Sequence, residues 1–241
     1  MSRTLTKTTF TIGLLIMLLA VPAMGATINK SVKVEPGAEA SGATSVNGSI
    51  SIGEDAMVTG NVKTVNGTIR VDAGATIEKA STVNGGIRIA RAVQSESLNT
   101  VNGSVKVGEQ AVVDGDIAAV NGRITIDSGS KVADKVSNVN GQIELTGAEV
   151  GGDLKTVNGD VHLEDESVVK GDLIVEENSS WGWGKSKSRK PRIVIGPGSR
   201  VDGKIILKRE VELFISERAE VGGVEGEMTM DDAERFSGSR P

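Results

Sequence analysis

Cysteine and tyrosine are absent from the 241 residues, and histidine occurs once. Without cysteine there can be no disulfide, no thiolate metal site and no lipid-modified N-terminus of the bacterial lipoprotein kind. Aromatic residues make up 2% of the chain, so a core has to be assembled from Val, Ile, Leu and Ala. Positive charge is not in surplus: the formal net charge is −5. Polyphosphate partners select an excess of Lys and Arg, so nucleic acid is excluded as a general partner. No nucleophile motif and no glycine-rich phosphate loop opening a helix is present. The one apolar run, Ile12 to Val21, falls short of the about 20 residues that a membrane-spanning helix needs.

That run instead reads as the centre of a secretory signal. Arg3 and Lys7 precede it, and Ala23-Met24-Gly25 supplies small residues for cleavage before Ala26, so residues 1–25 are expected to be a signal peptide. Removing Arg3 and Lys7 with it changes the formal −5 to −7. The expected destination is the periplasm or cell surface of a Gram-negative bacterium.

Repetition dominates what remains. Val-Asn-Gly occurs seven times, with asparagines at Asn47, Asn66, Asn84, Asn102, Asn121, Asn140 and Asn158, giving spacings of 19, 18, 18, 19, 19 and 18 residues. A unit this short holds about three strands and cannot bury its own apolar face, so it must stack on its neighbours. Within each unit, three runs alternate apolar and polar residues, the strand signature, with glycine between them. The reading is an all-β, single-stranded parallel β-helix of triangular coils, about 18 to 19 residues each, right-handed by the general preference of parallel crossovers. Stacking at about 4.8 Å per coil gives a rod of roughly 40 to 50 Å.

The alternation places Val105, Val107, Ala111, Val113, Ile117 and Val120 inside one coil, and Val83, Ile87, Ile89, Val101, Ile124 and Ile126 inside its neighbours. Asn-Gly suits a tight corner because both residues tolerate positive φ. Seven such corners in register would stack the amides into a structural column, each bonding above and below. An irregular first coil is expected over residues 26–44. The solenoid is expected to span 26–226, interrupted by a loop at 175–192, with a polar C-terminal tail or loose cap at 227–241.

The loop is the one compositionally unusual surface. It holds Trp181, Trp183, Lys185, Lys187, Arg189, Lys190 and Arg192, which together could engage anionic polysaccharide, lipopolysaccharide or a lipid headgroup surface. His162 lies between inward-facing Val161 and Leu163, so it faces outward, and no nucleophile accompanies it. Asp116, Asp153 and Asp172 each follow glycine at one point of their coils, and Glu164-Asp165-Glu166 adjoin them. Glycoside hydrolysis needs two carboxylates across a cleft and calcium needs converging oxygens. These acids read instead as a solvated ridge. No cofactor site, metal site or catalytic residue is expected.

The segments GDLIVEEN, RIVIGPGSRVDGKI and VELFISERAEVGGVEG, with Ile50, Ile52, Gly53, Ala56, Val58 and Gly60 in an early coil, resemble bactofilins, the polymer-forming bacterial cytoskeletal proteins. The repeated TVNGxIxV is similar to the adhesin-like family of secreted β-strand repeats. The bactofilin resemblance implies a right-handed β-helix that polymerises end to end without nucleotide. The chain departs from that family in its signal peptide and its interrupting loop. The resulting expectation is an exported, non-enzymatic structural or interaction protein of the cell envelope, with itself or an anionic envelope polymer or lipid as partner. A binding module acting through the loop is the second reading, and a carbohydrate-active β-helix enzyme the third.

Overall fold

The computed structural model describes residues 29–177 and 189–241. The expected signal segment, together with Trp181, Trp183, Lys185 and Lys187, lies outside the described residues.

The chain winds into a parallel β-solenoid of about ten turns. Each turn places one short strand on each of three faces. The first face stacks eleven strands, from Val32–Val34 through Ile50–Ile52, Ile69–Val71, Ile87–Ile89, Val105–Val107 and Ile124–Ile126 to Glu234–Phe236, every neighbour parallel. The second face carries two-residue strands such as Met57–Val58 and Val112–Val113, and the third carries strands such as Val62–Asn66 and Ile117–Asn121. Two strands, Thr76–Asn84 and Gln94–Asn102, run through the corner between second and third faces. Their coils have two residues there, Glu78-Lys79 and Glu96-Ser97, where the preceding coil has Thr59-Gly60-Asn61. Losing one residue removes the turn, which accounts for two of the 18-residue spacings.

Six inward positions per coil fill the interior. In one coil they are Ile50, Ile52, Ala56, Val58, Val62 and Thr64, each 3% exposed or less. The sixth position corrects the expectation for the repeat's valine. Val83 is 41% exposed, and Val101 and Val120 are half-buried on the outside. The inward residue is the one before the valine: Thr64, Thr82, Thr100, Ala119, Asn138 and Thr156 are all buried. The turn at the corner adds a residue, so alternation counted from the next strand arrives there out of phase. Buried hydroxyls need partners, and these find them one coil earlier: Thr64, Thr82 and Thr100 donate to the carbonyls of Gly48, Gly67 and Gly85 at 2.9, 3.1 and 2.9 Å.

The same carbonyls explain the repeat's glycine. Of the seven corner glycines, Gly141 alone has a positive φ, so left-handed backbone is not the general reason. A Cβ on Gly67, Gly85, Gly103 or Gly122 would instead collide with the carbonyl oxygen of the corner glycine one coil earlier. Glycine is required by close approach of backbone to backbone.

The C-terminal segment, expected as a polar tail or loose cap, folds over the end of the rod. Glu234–Phe236 pairs with Glu212–Ser216, and Met228, Met230 and Ala233 pack against the core. Alternation is not visible there because a 3-10 turn, Met230–Asp232, is followed by a strand of three residues, Glu234–Phe236, too short to show a period.

Candidate functional site

The corner between third and first faces carries the asparagines, and parallel pairing puts Asn66, Asn84, Asn102, Asn121 and Asn140 in direct register. Each side-chain Nδ2 donates to the Oδ1 of the preceding coil: Asn66 to Asn47 at 2.8 Å, Asn84 to Asn66 at 2.8 Å, Asn102 to Asn84 at 3.0 Å, Asn121 to Asn102 at 2.9 Å, Asn140 to Asn121 at 2.8 Å and Asn158 to Asn140 at 3.1 Å. The column is longer than its motif. Asn47 donates to Asn29 at 2.6 Å, and Arg209 donates to Asn158 Oδ1 at 2.9 Å. Asn29 lies 18 residues before Asn47 but lacks the tripeptide, so counting back one period finds it. Arg209 has no sequence signal, because it reaches past the coil from which the insertion departs. The amides' remaining donors and acceptors point to solvent, since Asn47 to Asn140 are exposed.

The insertion leaves the rod at this corner. Leu173–Val175 and Arg192–Ile195 are still strands, so the interruption is shorter than 175–192 at both ends. Three of the expected ligand cations are described, and the rod already engages each. Arg189 pairs with Asp160 at 2.8 Å, and Lys190 with Glu210 at 2.7 Å. The Arg192 guanidinium lies 4.5 Å from the Phe214 ring centroid, while its backbone N–H donates to Asp160 at 2.8 Å. The Asp160 carboxylate holds the Arg189 guanidinium above its usual pKa by hydrogen bonding and charge.

Of the carboxylates weighed in the sequence, Asp153 and Asp172 serve the backbone. Asp153 accepts the Asp172 N–H at 3.0 Å and Asp172 accepts the Lys204 N–H at 2.8 Å, one coil to the next. Glu164, Asp165 and Glu166 line a shallow depression with Arg218 and Arg240, Glu164 pairing with Arg240 at 3.4 Å. Among the described residues no group of His, Asp and Glu converges to hold a metal ion. His162 faces outward as expected, yet it is half-buried, with Nδ1 3.0 Å from the Gln142 amide nitrogen. Burial lowers its pKa against the pull of Asp160, Glu164 and Glu144.

No protein-family model, curated protein or solved structure matches this chain. Function therefore rests on the geometry of the rod itself. A buried polar feature missed in the sequence is Asn138, which accepts the Thr156 hydroxyl at 2.6 Å, while Thr156 Oγ1 accepts the Gly159 N–H at 2.8 Å. This triad pins the corner beside the insertion.

Proposed function

We propose that this is an exported, non-enzymatic structural and interaction protein of the bacterial envelope, a rigid rod of bactofilin-like or adhesin-like character that works through its long faces. The observation that carries the reading is the use of polar groups. Asparagines, threonines and the Asp153 and Asp172 carboxylates bond from coil to coil along the axis, which stiffens the rod and leaves none of them aimed together at a common point. A catalytic centre needs such convergence.

The capped C-terminal end favours lateral contacts over end-to-end growth, because Met228, Met230 and Ala233 cover apolar core that a second copy would otherwise meet. The loop as an independent ligand module draws less support, since Arg189, Lys190 and Arg192 are already partnered. The experiment is fractionation of Gram-negative cells expressing the full chain. The reading expects a product in the periplasmic or surface fraction whose N-terminus is Ala26. A full-length chain held in the cytosol overturns export, and turnover of an envelope glycan by the purified protein overturns the non-enzymatic role.

A further inference from the structure

Opposite charges on neighbouring coils are the habit of this rod's surface. Lys79 pairs with Glu96 at 3.0 Å, Lys170 with Glu149 at 2.6 Å, Lys204 with Glu225 at 2.5 Å and Lys208 with Glu176 at 2.7 Å. The first face breaks the habit. Its central outward row places Arg70, Arg88 and Lys106 directly opposite one another on three consecutive coils, with the inter-coil spacing of about 4.8 Å. All three are exposed.

Like charges directly opposite each other in a sheet oppose folding. Carboxylates could have relieved this row, as they do elsewhere, yet the Arg70 and Arg88 side chains form no ion pair or hydrogen bond among the described residues. Lys106 has Asp127 at 3.3 Å. Asp72, two residues from Arg70 in the chain, forms no ion pair with it. Ser51 and Thr125 bound the row at either end, while Thr68, Gly86 and Ser104 border it on one side with small, mostly hydroxyl-bearing residues. The row sets cations at the regular coil repeat on a molecule that is negative as a whole.

We propose that the Arg70–Arg88–Lys106 row binds a linear acidic polysaccharide of the polyuronate class, lying along the rod axis. Such a chain carries one carboxylate per sugar ring, a repeat of the same order as the coil spacing, and its ring hydroxyls match the Thr68 and Ser104 border. Arg forms paired hydrogen bonds to carboxylates that Lys does not. Nucleic acid fits less well, because single strands are held by stacking on aromatic side chains. Among the described residues the aromatics are Phe214 and Phe236, several coils away. The inference rests on the proposed function only in supposing that the rod meets envelope or extracellular glycan.

The test is titration of the full-length protein's mature form with polygalacturonate, in parallel with its methyl-esterified neutral form, a DNA oligonucleotide and vesicles containing anionic lipid. Binding is expected to the polyuronate and not to the ester, and to weaken with salt over the screening range of exposed charges. The triple variant Arg70→Gln, Arg88→Gln and Lys106→Gln should lose about tenfold in affinity, the sum of three surface ion pairs. A control removing the same charge elsewhere, Lys79→Gln, Lys170→Gln and Lys204→Gln, should stay within about twofold of the parent, because those lysines lie off the row. Thermal melts of both triples separate binding loss from unfolding, and the row triple should melt no lower than the control. Arg88→Lys, which keeps the charge but loses the paired geometry, should bind more weakly than the parent and more tightly than the row triple. Equal loss in both triples, absent binding, or tighter binding to DNA or vesicles overturns the proposal. A protein retained in the cytosol that still binds through the row would overturn export and leave the proposal standing.

Discussion

At the scale of single residues, the asparagine column and the corner glycines do different jobs. Each internal asparagine supplies one amide hydrogen bond upward and accepts one from below, but water reaches it. Asn102→Ala should therefore cost about 1 kcal/mol, the net value of an exchangeable hydrogen bond, and not the penalty of orphaned buried groups. Asn47→Ala should cost about the same, because Asn29 makes Asn47 an internal member. Gly103→Ala should cost more, about 2 to 3 kcal/mol, since its Cβ has to displace the Gly85 carbonyl and with it the neighbouring coil. Urea denaturation of the three variants checks the order. His162 gives a pH prediction: burial depresses its folded pKa below 6.5, so its contribution is complete above the unfolded value and is lost as pH falls through the folded one. An imidazole NMR titration with a midpoint below 6.5 is expected, and His162→Gln should flatten the acid limb of the stability curve. The column was legible in the sequence because seven copies of one tripeptide, spaced 18 or 19 residues apart, leave one stacking solution. Arg209 was not, because its role depends on a gap that the insertion opens.

At the scale of the coil, phase decides what is buried. Strand alternation identified Ile87, Ile89, Val105, Val107, Ile124 and Ile126 as core, and each is 2% exposed or less. It failed at Val83, Val101 and Val120 because alternation does not carry through a corner, and because a threonine inside looks wrong until its carbonyl partner is known. Paired substitutions separate the two readings. Val105→Asp buries an unpaired charge and should cost more than about 4 kcal/mol or prevent folding. Val83→Asp, one coil earlier and outward, should cost about 1 kcal/mol or less. Similar losses in the two variants, read by thermal melting, would return the repeat's valine to the interior. The 18-residue coils show the same dependence on corners, since a missing residue converts two short strands and a turn into one nine-residue strand.

At the scale of the molecule, eleven strands on the first face span about 48 Å at the parallel-strand spacing, and the C-terminal segment closes one end. Repetition in the sequence announced the rod, whereas the cap was hidden by its lack of period. If Met228, Met230 and Ala233 are what stops axial stacking, deletion of residues 227–241 should expose the last coil and turn discrete particles into end-to-end oligomers. Whether the molecule is a capped rod of fixed length that acts through its sides is decided by sedimentation velocity of the mature protein over a wide concentration range, with negative-stain images of the same samples. Such a rod sediments as one elongated species about 50 Å long at every concentration. Filaments, or particles whose length grows with concentration while residues 227–241 are intact, would contradict it.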